Sequence, residues 1–199
     1  MIGVVDVGLG NTASVYKALN KLNIKHFPIR KPIDAIGVNS IIFPGVGTFS
    51  SAVSRLKTSG LFETIQKHLE ENKPYLGICL GMQLLAKHGL EGQKTNGFGM
   101  LDASVEKMTA QKDIRLPHIG WNSIKHNQKG LFLGIKSPED FYFLHSFSML
   151  LNENCESYTF SYGENYIGYV NKNNIFGVQF HPEKSQKSGL ILIENFCKC

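Results

Sequence analysis

Along the first half of the chain, short runs of consecutive apolar residues alternate with stretches in which apolar positions recur every three or four residues. Ile2 to Val7 is such a run, and Asn11 to Leu22 carries a helical period through Val15, Ala18, Leu19 and Leu22. His26 to Ile29 predicts a second strand, and Ser40 to Phe43 a third that stops at Pro44. Phe49 to Leu56 and Leu61 to Leu69 read as helices. Tyr75, Leu76 and Ile78 then read as a buried strand, and Leu80, Met82, Leu84, Leu85 and Ala86 as the helix after it. Near-continuous apolar strands alternating with amphipathic helices imply a parallel sheet covered on both faces.

The second half has a shorter rhythm. Strand-like runs at Ser104 to Met108, Phe141 to Leu144, Ser157 to Ser161, Ile167 to Val170 and Ile175 to Phe180 are separated by Gly, Asn and Pro. Tyr166 to Asn171 and Ile175 to Phe180, joined by Lys172-Asn-Asn174, predict a hairpin. A last helix runs from about Ser188 to Phe196. With no linker, repeat or low-complexity tract, the reading is one α/β domain over residues 1–199 with a mixed, mostly parallel sheet.

Composition narrows the function classes. With 42% hydrophobic and 19% charged residues, the chain can bury a core, which excludes wholesale disorder. The net charge of +5 is scattered. Its densest stretch, Lys21 to Lys31, interleaves Lys25, Arg30 and Lys31 with apolar residues and reads as solvated surface, so no nucleic-acid partner is expected. The spacing of Cys79, Cys155, Cys197 and Cys199 points to neither a disulfide framework nor a metal site, and no metal or cofactor is expected. Met1 leads straight into an apolar strand, leaving no room for a signal peptide, and no apolar run approaches the ~18 residues of a membrane span. The expected location is the cytoplasm.

The chemistry concentrates at Gly77-Ile-Cys-Leu-Gly81. Glycine two residues to either side of a cysteine, between a strand and a helix, matches a nucleophile elbow, a turn too tight for flanking side chains. The structural alternative is a buried, inert cysteine. Gln179-Phe-His-Pro-Glu-Lys-Ser185 supplies the complement. His181 and Glu183 lie two apart in backbone that Pro182 keeps extended, so an imidazole and an orienting carboxylate share a face. That is the base and third member of a nucleophile–base–orienter triad. Pro44-Gly-Val-Gly47 and the N–H of Leu80 offer backbone donors for an oxyanion. Gly8-Leu-Gly-Asn11, Pro44 to Gly47, Cys79, His145-Ser146 and His181 to Glu183 all follow strand ends, which predicts one rim of the sheet, where α/β ligands bind.

Those three segments, in this order, resemble the class I (triad) glutamine amidotransferases. Within that family Gly8-Leu-Gly-Asn11, Pro117-His-Ile-Gly-Trp-Asn122 and Tyr142-Phe-Leu-His-Ser146 resemble the glutaminase subunit of imidazole glycerol phosphate synthase. The resemblance implies a flavodoxin-like three-layer fold in which Cys79 attacks L-glutamine, with His181 as proton shuttle and Glu183 as its orienter. It implies Val46, Gly47 and Leu80 as oxyanion donors, and Gly45, Gln83, Ser146 and Phe147 as glutamine contacts. Asn11, Trp121, Asn122 and Lys184 then face a cyclase partner of TIM-barrel fold, which receives the ammonia in histidine biosynthesis; Trp121 and its Gly and Asn neighbours read as a loop. Thr12-Ala13, Lys87-His88 and Phe147-Ser148 depart from the subfamily pattern. They leave a second reading, a paralogous glutaminase feeding another acceptor such as a surface-polysaccharide sugar. A remoter one takes Gly8-x-Gly10-x-x-Ala13 as a dinucleotide fingerprint, but the second strand ends in Arg30-Lys31 without the acidic residue that reading needs.

Overall fold

A computed structural model of the protein describes residues 1–109 and 114–199. Strand β1 (Ile2–Val5) leads to helix α1 (Thr12–Lys21), β2 (His26–Ile29), β3 (Ser40–Gly45), α2 (Phe49–Thr58), α3 (Leu61–Glu70) and β4 (Tyr75–Cys79). One helical turn, α4 (Leu80–Gln83), precedes β5 (Ala86–Gly89), β6 (Thr95–Asn96), β7 (Leu101–Lys107), β8 (His118–Ile124), β9 (Glu139–His145) and β10 (Phe147–Leu151). The chain closes with β11 (Glu156–Tyr162), β12 (Glu164–Lys172), β13 (Ile175–Val178) and α5 (Gln186–Phe196).

Seven strands form the central sheet in the order β11-β12-β13-β4-β3-β1-β2. From β13 to β2 every neighbouring pair is parallel, while β12 and β11 add an antiparallel edge. Alternation along the strands divides the core between the two faces. Val5, Ile41, Phe43 and Tyr75 pack with Phe49, Ala52 and Leu56 of α2 and Leu61 and Ile65 of α3. Val4, Ile42, Leu76 and Ile78 pack with Val15 and Leu19 of α1 and Leu192, Ile193 and Phe196 of α5. The fold is therefore the three-layer α/β arrangement with a mixed, mostly parallel sheet that the alternating pattern predicts.

Four local expectations need correction. β3 does not stop at Pro44 but runs to Gly45, pairing Pro44 with Ile78 and Gly45 with Cys79. Its pairing with β1 ends at Ile42, so the N–H that Pro44 lacks removes no bond on that side. The apolar run after Cys79 makes only one turn of helix. The carbonyls of Leu84, Leu85 and Ala86 instead accept from Phe98, Leu101 and Gly99, and the chain leaves the turn as a strand of a second sheet, β10-β7-β5-β6. β8 and β9 pair only with each other. Trp121 and Asn122 therefore lie on a strand rather than a loop. His145, at the end of β9, does not belong to the central rim, although four of the five strand-end clusters do. The β12–β13 hairpin forms, with Lys172 opposite Ile175 and a two-residue turn at Asn173-Asn174.

Candidate active site

Cys79 ends β4 with φ 53° and ψ −105°, a backbone conformation that an L side chain rarely adopts. Such a residue stores ~1–3 kcal/mol of strain and persists only where its surroundings hold it. Here both flanking glycines are required by close approach. A Cβ on Gly77 would lie 2.4 Å from the Gly81 carbonyl oxygen, and one on Gly81 would lie 2.0 Å from the Phe43 oxygen. The Tyr75 hydroxyl donates to Gly81 O at 2.8 Å and pins the turn from the core side. The result is a nearly buried sulfur, 6% exposed, beyond the carboxyl end of the central strands.

His181 follows β13, the parallel neighbour of β4, so sheet order brings it to the cysteine. Its backbone is fixed on both sides: its N–H donates to Tyr142 O at 2.8 Å, and its carbonyl accepts from the Ser185 hydroxyl at 2.7 Å. Glu183 does not sit in extended chain. Pro182–Lys184 forms a 3-10 turn that folds the carboxylate back onto the ring, with Nδ1 to Oε1 at 2.8 Å. The Glu183 side chain is wholly buried, and His181 Nε2 is buried without a hydrogen-bond partner. Burial opposes charge on this imidazole. The charge of the nearby Cys79 sulfur and the Glu183 carboxylate outweigh it and push the pKa up to about 10. A pKa so raised favours the imidazolium form of His181 beside the sulfur.

Asn11, expected at a partner surface, instead reaches into this cluster. Its Nδ2 donates to Glu183 Oε1 and lies 3.3 Å from His181 Nδ1. Since Nδ1–H is itself a donor to Glu183, the effective bond of Asn11 is to the carboxylate. Asn11 adopts φ 62°, which lets the Gly8–Asn11 turn aim the amide inward.

The three backbone groups expected to serve an oxyanion differ in what they already bond. Leu80 opens α4, so its N–H has no intrahelical acceptor. Gly47 lies on the cavity wall at φ 124°. The N–H of Val46, however, is committed to Leu9 O at 2.8 Å, and so is not a free donor in this conformation.

A cavity of about 200 Å³ opens beside the sulfur, lined by Val46, Gly47, Leu80, Gln83, Ser146 and Phe147 among others. Gly45 is buried in β3 against Leu80 and does not line it. Gln83 is buried, its Nε2 donating to Phe147 O at 2.9 Å. Two lining or adjoining residues escape the sequence reading. Glu91, whose Oε2 accepts from Phe49 N–H at 2.9 Å, puts a carboxylate in the wall, and burial pushes its pKa up. Gln179, fully buried, donates from Nε2 to the Cys79 sulfur at 3.5 Å. Its alternation between Val178 and Phe180 marks it as facing away from their core, a signal the sequence does carry.

Trp121 is 48% exposed on β8, edge-on to Tyr142, whose ring also receives the Lys184 ammonium at 5.6 Å. Asn122 is turned sideways, its Nδ2 donating to Ser161 O at 2.8 Å. Of the four residues expected at a partner face, Trp121 and Lys184 share an exposed patch.

A family model described as Glutamine amidotransferase class-I matches residues 3–198. The imidazole glycerol phosphate synthase subunit HisH of Methanocaldococcus jannaschii is 42% identical over 198 residues, covering 98% of each chain. The chloroplastic imidazole glycerol phosphate synthase hisHF of Arabidopsis thaliana is 35% identical over 98% of this chain, but only 34% of the plant protein is covered. A crystal structure of a glutamine amidotransferase superposes with a TM-score of 0.78 at 21% identity, covering 99% of this chain and 97% of the other, a likeness of fold.

Proposed function

The chain belongs to the class-I glutamine amidotransferases, and from that premise we propose that it is the glutaminase subunit of an imidazole glycerol phosphate synthase. The observation that carries the reading is the convergence of Cys79 with the buried His181–Glu183 pair, from segments about 100 residues apart in the chain, beside a small cavity that opens at the sulfur. The cavity admits an amino acid and is too small for a nucleotide. Glu91 suits the α-ammonium of glutamine, and the side-chain carboxamide then lies toward the sulfur.

The Cys79 thiolate attacks the carboxamide carbon. As the C–N bond breaks, His181 delivers its Nε2 proton to the departing nitrogen, releasing ammonia and leaving a glutamyl thioester. His181 then takes a proton from water, whose oxygen displaces the sulfur, and glutamate leaves. Glu183 holds the ring by Nδ1 so that Nε2 does this work. Leu80 and Gly47 N–H groups stabilise the tetrahedral oxyanion, joined by Val46 once it is released from Leu9.

The ammonia passes to a cyclase of TIM-barrel fold in the cytoplasm, docked over the Trp121 and Lys184 patch. The long plant relative, in which the matched region is a third of the polypeptide, fits a glutaminase that works beside a second unit. Full-length identity to a HisH subunit favours the histidine pathway over another acceptor. The test is Cys79→Ala, assayed for glutamate release and for glutamine-dependent synthesis of imidazole glycerol phosphate with the cyclase added. A folded variant devoid of both activities is expected. Continued glutamine turnover would refute the mechanism, and a wild-type chain that never supports the cyclase would refute the pathway.

A further inference from the structure

Five polar contacts form an unbroken path to the nucleophile. His118 Nδ1 lies 3.3 Å from His145 Nε2, and His145 Nδ1 lies 2.9 Å from Phe147 O. Gln83 Nε2 donates to the same carbonyl at 2.9 Å and to Gln179 Oε1 at 3.1 Å. Gln179 Nε2 then donates to Cys79 Sγ at 3.5 Å.

The direction of every bond follows from one atom. Phe147 O can only accept, so the nitrogen of Gln83 must face it. The second hydrogen on that nitrogen then requires an acceptor from Gln179, which fixes its oxygen toward Gln83 and its NH2 toward the sulfur. The same carbonyl fixes the His145 proton on Nδ1, leaving Nε2 to accept from His118. Neither glutamine can flip without placing two donors or two acceptors face to face. Both are buried, where such a mismatch is costly.

The other neighbour of the sulfur is the carbonyl oxygen of Leu144 at 3.8 Å, which accepts from a thiol and repels a thiolate. Among the described side chains, Gln179 is therefore the donor within hydrogen-bond distance of the sulfur, while His181 Nε2, buried nearby, makes no bond in this conformation. His181 must give its proton away during the reaction, whereas an amide keeps its own.

We propose that Gln179 is a further catalytic residue, a permanent hydrogen-bond donor that holds the Cys79 sulfur as the anion, before attack and again as the thioester breaks. This rests on the glutaminase reading for its role in turnover, but its effect on the sulfur does not. Gln179→Met keeps the length and removes the donor. Gln179→Glu keeps the shape and turns an oxygen toward the sulfur.

The experiment follows alkylation of Cys79 by iodoacetamide against pH, resolved by peptide mass spectrometry so that Cys155, Cys197 and Cys199 do not contribute. The other titratable groups around the sulfur, His181 and Glu183 after β13, His145 on β9 and Glu91 in the cavity wall, are common to all variants. The midpoint should rise by on the order of one pH unit in Gln179→Met, a ~10-fold loss of thiolate at a given pH, and further in Gln179→Glu. In the glutaminase assay kcat should fall ~10-fold or more with KM little changed. A purely structural role would lower the melting temperature and leave the alkylation midpoint in place. A readout independent of variant folding at position 179 is the side-chain amide resonance of Gln179, which should shift with pH in the wild type and lose that dependence in Cys79→Ala. An unmoved alkylation midpoint in a folded Gln179→Met, or an amide resonance indifferent to Cys79, would overturn the assignment. Alkylation needs no glutamine, so failure of the glutaminase reading would leave this test intact.

Discussion

Val46 donates its backbone N–H to the carbonyl of Leu9 at 2.8 Å, so a loop expected to bind an oxyanion is tied to the turn after β1. The contact is tightly packed: a Cβ on Gly10 would lie 2.6 Å from Val46 Cγ2. An oxyanion-hole donor is worth ~10²–10³ in kcat. The isolated chain should therefore hydrolyse glutamine at least ~100-fold more slowly than the assembled synthase with its acceptor bound. Steady-state ammonia release with and without the cyclase measures this. Equal rates would show that the Val46 bond restrains nothing.

The same turn carries Asn11, whose amide holds the buried Glu183 carboxylate. Asn11→Ala should lower kcat ~10-fold in the isolated chain and in the complex alike, because it loosens a group that orients the base. A residue that only touched the partner would change the affinity of the complex and leave the partner-free rate alone. Kinetics without the cyclase separate the two.

Much of this site is legible in the amino-acid sequence because glycine and proline punctuate strand ends. Gly77, Cys79 and Gly81 announce the elbow, and the strand order of an α/β sheet brings the residues after β13 beside it. Asn11 and Gln179 are different, since their partners lie more than 90 residues away in the chain: alternation marks Gln179 as turned from the core of Val178 and Phe180, but no local pattern says what either amide meets. β8 misleads for another reason. It belongs to a separate hairpin that exposes Ile119 and Trp121, inverting the usual burial of large apolar side chains, so its strand pattern reads as a loop. The helix after Cys79 looks longer than it is because Leu84, Leu85 and Ala86 are buried by a second sheet rather than by further helical turns.

Glycine substitutions should separate clash from torsion. At Gly81 a methyl would meet the Phe43 carbonyl at 2.0 Å, and backbone cannot retreat as a side-chain end can. Gly81→Ala should destabilise the protein by more than ~3 kcal/mol, in the range that only overpacking and similar disruptions reach. Gly47 has open space around it, and its φ of 124° alone resists substitution. Gly47→Ala should cost ~1–3 kcal/mol and should reduce glutaminase activity through the oxyanion loop. Chemical denaturation of both variants gives the comparison; similar losses would mean that the elbow can yield.

Histidines should shape the pH dependence of stability from both sides. Burial holds His118 down to about 4 and His145 down to about 3, and burial also lowers His68 and His126. In the unfolded chain each titrates near ~6.5. Between those values the unfolded state binds more protons, so stability falls as pH drops below ~6.5, above the range where carboxylates titrate. His181 has the opposite sign. With its pKa raised to about 10, its contribution is complete below ~6.5 and is lost as pH climbs through about 10. Melting temperature should therefore peak near neutrality and decline toward pH 5 and toward pH 10. His118→Phe keeps the stack on Phe143, Phe160 and Tyr162 and removes one proton site, so it should flatten the acid limb. It forfeits the bond to His145 at every pH, which is why the slope rather than the absolute melting temperature is the readout. Cys79→Ala removes a cause of the raised His181 value and should flatten the alkaline limb. If both variants kept the wild-type slopes, neither the buried pair nor the triad imidazole would be linked to folding.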